Sequence, residues 1–353
     1  MSLRGICCWP VGRGGVVLAV LALLGGLFVH SAKRWGRGAN SFTASAVSAS
    51  QFLPGPAIEG TIFAVTASNK LITFNQANPS AVITTQNITG LQSNEFILGL
   101  DFRPRTGQLY ALSSLNRLYL LNPATGAAGP IGSGPLTPAT VGTAFGFDFN
   151  PVPDRLRIVS DADQNLRITP DGNSVTTDGA LAFASGDRNA GVNPNIVGAA
   201  YTNSFSGATT TTLYGIDSNL DALVLQGSPG GSPTSPNTGT LTTVGNLGVN
   251  TSDAVGFDIA GPSGIAFASL TTPGATTSSL YTVDLGSGAA RLVGAIGGGE
   301  VIRDLAAVVR VETIFALTTK NELLAFSSAT PNALVTKLPI SGLSGNESLL
   351  GLD

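Results

Sequence analysis

After Trp35 this chain has no cysteine, histidine, tryptophan or methionine. Cys7, Cys8, His30, Trp9 and Met1 all fall before that point. The missing thiols and imidazoles exclude Cys-His and Ser-His-Asp nucleophilic catalysis, zinc sites of the usual ligand set, disulfides and haem ligation by His or Cys. The missing indoles remove the stacking platforms common in sugar-binding clefts. Charge is scarce as well, at 11% of residues against roughly a quarter in an ordinary soluble domain. A net charge of −3 without a basic cluster argues against a nucleic-acid partner, which needs dense Lys and Arg to meet phosphates. What remains is carboxylate, hydroxyl, amide, Tyr, Lys and Arg chemistry in a chain that is 43% apolar. That is enough apolar content to build a core, and too much for a disordered chain.

The N-terminus reads as an export signal. Arg4 and Arg13 precede an apolar run from Gly14 to Val29, with Ser31 and Ala32 as a small-residue exit, the pattern of a signal peptide over residues 1–32. The run is short for a membrane span, which needs about 20 apolar residues. Lys33, Arg34 and Arg37 follow it and keep an uncleaved anchor as the alternative. Either way the folded part is expected outside the cytoplasm: extracellular, periplasmic or in the cell envelope. Residues 33–58, small, polar and broken by proline, are expected to be a disordered linker.

A long segment occurs twice. Thr61 to Asp101 returns without a gap as Thr313 to Asp353, with about half the positions identical. Between them a shorter period recurs in LGLDF (98–102), FGFDF (145–149), VGAAY (197–201), VGFDI (255–259) and VIRDLA (301–306). Each opens a cassette of short alternating strands: QLYAL and RLYLLNPATG after the first, RLRIVS and NLRITPDGN after the second, GIAFAS and SLYTVDLGSG after the fourth. The third strand repeatedly ends in a Pro/Gly/Asn turn, and no amphipathic helix is evident. Repetition of a four-stranded antiparallel unit is the mark of a β-propeller blade. The expected fold is all-β, a five-bladed propeller over residues 59–311, with 312–353 as the truncated start of a second repeat. Residues 61–90 supply three strands without a first, and 301–309 a first strand without partners, so their pairing is expected to close the ring and remove two free edges. The duplicate 313–342 is the other contender for that slot.

These residues also carry a resemblance. LGLDFRPRTGQLYAL, FGFDFNPVPDRLRIVSDADQNLRI, NPNIVGAAYTNS, TTLYGIDSNLDALVLQ, VGFDI, SLYTVDL and IRDLAAV resemble the mostly bacterial family catalogued as domain of unknown function 4394, over about 61–310 with a restart at 313. The resemblance implies a propeller-like repeat domain of exported proteins. It implies no settled activity and assigns no catalytic residue.

Asp101, Asp148, Asp258 and Asp304 recur on inner strands, with Asp353 as a further repeat. Around a propeller axis they would form a carboxylate ring able to bind a hard cation such as calcium. The competing use of each is to accept backbone N–H bonds and pin one blade to the next. Asp161, Asp163 and Asn165 have the spacing that opens calcium loops, but Leu166 and Gly172 stand where an EF-hand needs Gly and Glu, so a polar hairpin turn competes with a cation site. The insertions 180–196 and 226–239 offer loop contacts, Asp187, Arg188 and Asn189 foremost; the Gly/Pro/Ser content of 226–239 suggests a flexible tip. The function expected is a binding or scaffolding module, one unit of a tandem array that gains avidity by repetition, with an extracellular macromolecule or glycan as partner. The alternatives are a metal-dependent, glycosidase-like hydrolase using the axial Asp residues, and a purely structural envelope repeat. Glu95 and Glu300 are the only Glu in 61–310, which leaves little for a facing carboxylate pair.

Overall fold

The computed structural model describes residues 20–23, 26–29, 60–261, 263–308, 313–327, 334–343 and 349. The linker 33–58, most of the expected signal segment and Asp353 lie outside the described residues. The chain divides into two compact units, one holding residues 60–308 as described, the other the described residues before position 51 and from 313 onward.

In the smaller unit β1 (Val20–Leu23) pairs antiparallel with β2 (Gly26–Val29). No described helix is long and apolar enough to cross a membrane. In the larger unit β3 (Thr61–Thr66), β4 (Lys70–Asn75) and β5 (Asn78–Asn87) form an antiparallel meander. Four further sheets follow in chain order. Sheet two is β6 (Ile97–Phe102), β7 (Leu109–Ser113), β8 (Leu118–Leu121) and β9 (Ala128–Ile131). Sheet three is β10 (Phe145–Asn150), β11 (Arg155–Ser160), β12 (Asn165–Ile168) and β13 (Val175–Thr177). Sheet four carries β14 (Ala182–Phe183) as a parallel addition beside β15 (Ile196–Tyr201), β16 (Leu213–Asp217), β17 (Ala222–Gln226) and β18 (Thr240–Asn246). Sheet five is β19 (Val255–Ile259), β20 (Ala266–Leu270), β21 (Ser279–Val283) and β22 (Ala290–Ala295). The last strand of the unit, β23 (Ile302–Ala307), pairs antiparallel with β3 and completes sheet one in the order β23-β3-β4-β5. The second copy folds in the smaller unit as β24 (Thr313–Leu317), β25 (Glu322–Ser327) and β26 (Leu334–Pro339), a three-stranded antiparallel sheet.

Five apolar cores lie between successive sheets. Phe63, Val65 and Leu71 of sheet one meet Leu100, Phe102 and Leu109 of sheet two, with Phe63 edge-on to Phe102 at 5.3 Å between ring centroids. Sheets two and three share Leu112, Leu118, Phe147 and Ile158; three and four share Val159, Ala199 and Val224; four and five share Val197, Leu223, Phe257 and Ala268. The fifth core joins Phe267 and Leu280 of sheet five to Ile62, Ile72 and Phe74 of sheet one. Each sheet is therefore covered on both faces. This is why strands such as LYALS and FGFDF read as continuous apolar runs and not as the alternation of a half-exposed sheet.

Candidate functional site

The inner strands β6, β10, β15, β19 and β23 approach one another closely because each of the first four carries glycine two residues before its aspartate level. A Cβ on Gly146 would lie 2.5 Å from the Ala199 nitrogen, and one on Gly256 2.5 Å from the Leu305 nitrogen. The aspartates then reach across the gap. Phe149 N–H donates to Asp101 Oδ2 at 2.8 Å, Tyr201 N–H to Asp148 Oδ1 at 3.3 Å, Ala307 N–H to Asp258 Oδ2 at 2.6 Å, and Leu100 N–H to Asp304 Oδ2 at 2.9 Å. Every one of these straps joins neighbouring inner strands.

Asp304 differs from the sequence expectation in its level. Asp101 lies opposite Tyr110 on the next strand, and Ala306, not Asp304, lies opposite the corresponding Phe63. Asp304 thus occupies the position of Gly99, Gly146, Gly198 and Gly256, two residues or about 6.6 Å along the strand from the other three. The sequence alignment on the Asp of IRDLA misses this because Asp304 follows Ile302 by two residues, whereas Asp101 follows the matching Ile97 by four; both strands bear the same register shift at that point.

Asp101, Asp148 and Asp258 come together: they offer carboxylate oxygens that all lie within 4.8 Å of one another. They are 2%, 1% and 3% exposed. Burial, then the charge of Asp258, pushes the Asp101 carboxyl well above its usual range; burial, then Asp101 and Asp258, does the same to Asp148. Asp258 is pushed up by burial to about 6, with the Ala307 and Ile259 N–H groups acting the other way. Asp304 is raised by burial against the pull of the Leu100 and Leu305 N–H groups. Asp258 Oδ1 is buried without any hydrogen-bond partner.

The D-x-D-x-N segment is the turn between β11 and β12, and its three side chains diverge. Asp161 accepts from Thr143 N–H at 2.9 Å and Thr143 Oγ1 at 2.6 Å. Asp163 stands at φ 58° with Oδ1 buried and unpartnered. Asn165 turns inward to accept from Arg157 Nη1 at 2.6 Å. In the insertion before β15, Asp187 accepts from Thr243 N–H and Thr243 Oγ1, both at 2.7 Å, and Asn189 Nδ2 donates to Thr243 Oγ1 at 2.8 Å. Those two pin their loop, and Arg188 alone of the three is exposed.

Sequence reading missed Arg157, the largest fully buried side chain. It donates to Tyr201 Oη, Asn165 Oδ1, Asp178 Oδ2 and Asn237 Oδ1, and Arg167 also pairs with Asp178. Asn237 belongs to the 226–239 insertion, so that loop is tied into a buried polar network and is not a free tip. The network borders a cleft of about 260 Å³ between sheets three and four. A larger depression, about 610 Å³, is lined by Leu98, Phe145, Val197, Val255 and Arg303, one residue from each of the five inner strands, with Asp253 and Phe96 at its wall. Arg303 is held there over the Phe96 ring at 4.4 Å and donates to the Ala67 carbonyl at 2.7 Å.

Fold and site together define an all-β repeat protein of four-stranded antiparallel sheets strapped through buried inner-strand carboxylates. The chain belongs to the family described as Domain of unknown function (DUF4394), whose profile matches residues 70–306. No curated protein matches it. Solved structures to which the chain is similar include the hydrazine synthase of Kuenenia stuttgartiensis, at 13% identity over 70% of this chain and 59% of that one with a TM-score of 0.33. They also include the Dos1 propeller, at 13% identity over 81% and 70% with a TM-score of 0.34. TolB from Acinetobacter baumannii is similar at 12% identity over 80% and 64%, with a TM-score of 0.40. The chain spans less than two thirds of the hydrazine synthase and TolB chains.

Proposed function

We propose that the five sheets are the blades of a closed five-bladed β-propeller acting as an exported binding or scaffolding module, whose ligand site is the depression at the axial mouth. The observation that carries this reading is that one depression is lined by a residue from every inner strand. Its volume and its apolar floor with a few polar groups suit a ligand site. The fifth core, between sheets five and one, supports closure. Export rests on the charged and apolar pattern of the N-terminus. The tandem arrangement is supported by the second copy, which repeats β3–β5 strand for strand as β24–β26. An extracellular macromolecule or glycan is the partner class that fits this location.

The hydrolase alternative is weakened by access. The carboxylates closest to one another are nearly fully buried, whereas acid–base catalysis needs a group within hydrogen-bond reach of substrate. The test is binding of the purified chain to envelope fractions and glycan arrays, beside an Ala254→Trp variant, at a partly exposed position of the lining, that fills the depression. Binding by the parent and its loss in the variant, with an unchanged melt, supports the reading. Chelator-sensitive hydrolysis of a glycan, abolished by Asp148→Asn, would replace it with the hydrolase.

A further inference from the structure

Three carboxylates within 4.8 Å of one another are an unstable arrangement when all are charged and dry. Like charges at that distance oppose ionisation of each other, and burial removes the water that would screen them. Each spends one oxygen on an N–H of the next inner strand, which leaves a second oxygen for another partner. For Asp258 that second oxygen, Oδ1, is buried and receives no N–H or hydroxyl donor, its carboxyl neighbour Asp148 being itself a member of the cluster. A buried acceptor left without a partner calls for explanation.

The remaining two inner strands are also informative. At the level of Asp101, Asp148 and Asp258 they carry Ala200 and Ala306, as the pairings of Ala200 with Tyr214 and Ala306 with Phe63 show. Neither methyl group can donate to the carboxylates or neutralise their charge. The donor set is oxygen only, which selects a hard cation. Three buried carboxylates held together suit calcium, which accepts cages made largely of protein oxygens, better than magnesium, which keeps several of its waters.

We propose that Asp101, Asp148 and Asp258 bind one calcium ion at the level of Ala200 and Ala306, where it ties sheets two, three and five together. The ion completes the coordination of Asp258 Oδ1 and has a structural role, since the cluster is too buried to meet a substrate. This site does not depend on what occupies the depression at the axial mouth.

The test uses the full chain. Metal content of the purified protein is measured by elemental analysis and native mass spectrometry, and melting is followed in chelator and in calcium. One bound calcium per chain is expected. The melting midpoint should rise by about 5–10 °C at a hundredfold excess over the dissociation constant. Asp258→Asn keeps an oxygen for the Ala307 N–H but lacks the charge. It should lose the calcium shift and, in chelator, melt at or above the parent. A carboxylate that serves only as a strap predicts the opposite order in chelator. If Asp258→Asn does not fold, Asp101→Asn and the native mass of the parent decide. No bound metal and identical midpoints in calcium, magnesium and chelator would overturn the proposal.

Discussion

The two copies of the repeated segment place nearly the same strands in different surroundings. In the first, Ile62 and Phe63 are 1% and 8% exposed; in the second, their counterparts Ile314 and Phe315 are 39% and 48% exposed. The residues are identical, so the difference lies in the neighbours. β3 has β23 along its edge and apolar cores on both faces, whereas β24 is an end strand of its sheet among the described residues. Burial in this repeat is conferred by the adjoining strand and sheets and is not intrinsic to TIFA. A β-sheet edge left open is a template for pairing.

One pair of charges shows why the first copy suits β23. Lys70 Nζ meets Glu300 Oε1 at 2.8 Å, just before β23. The matching position in the second copy is Glu322, which pairs with Lys337 on its own sheet at 3.0 Å. A second-copy sheet in the β3 slot would set Glu322 against Glu300, two like charges.

The sharpest way to break this comparison is to truncate the same aromatic in both copies. Phe63→Ala should cost about 3–5 kcal/mol, as for other buried Phe truncations, and Phe315→Ala less than about 1 kcal/mol, both measured by urea denaturation. Equal costs would show that the two environments are alike. The approach of neighbouring inner strands is tested next: Gly256→Ala sets a methyl against the Leu305 backbone and should cost about 1–3 kcal/mol or more by overpacking.

The carboxylate cluster gives the larger unit a pH dependence that the described part of the second copy, which contains no Asp, lacks. Asp258 is held up at about 6 against about 3.9 in an unfolded chain. Between those values the folded state keeps a proton that the unfolded state has released. The stability this contributes is full below about pH 4 and lost as pH rises through 6, on the order of 3 kcal/mol. Asp101 and Asp148, also raised by burial and by their acidic neighbours, act in the same direction. Melts in chelator should therefore fall from pH 4 to 8, and added calcium should flatten the fall. A midpoint that climbs over this range would contradict the assignment. The smallest effect expected is Lys70→Glu, at about 0.5–1 kcal/mol for a half-exposed ion pair, with salt reducing the difference between variant and parent.

Much of this was legible in the chain because four of the five inner strands carry a glycine within an apolar run. The segments 98–102, 145–149, 197–201 and 255–259 fall in β6, β10, β15 and β19, and the hairpins follow their turn residues. The convergence of Asp101, Asp148 and Asp258 was legible for the same reason. Asp304 was misplaced because matching Asp to Asp sets IRDLA two residues out of step with ILGLD, and the strand pairing that fixes the true register is not written in the spacing. The Arg157 network was not legible, since Asn165 and Tyr201 come from two strands, β12 and β15, and Asp178 and Asn237 from two separate loops. Nor was the larger depression: Leu98, Phe145, Val197 and Val255 look like core residues until five strands are seen to present them together.

The most direct test of the account is a cross-link between β23 and β3. With Cys7 and Cys8 replaced by Ser, Ala64→Cys and Leu305→Cys place two thiols on residues that face each other in the antiparallel pair. Oxidation should give a monomer with an intramolecular disulfide, seen by peptide mass spectrometry and by a mobility shift reversed on reduction. A parallel chain with Ala316→Cys and Leu305→Cys should stay reduced. A disulfide between 316 and 305, and none between 64 and 305, would show that the second copy and not the first lies against β23.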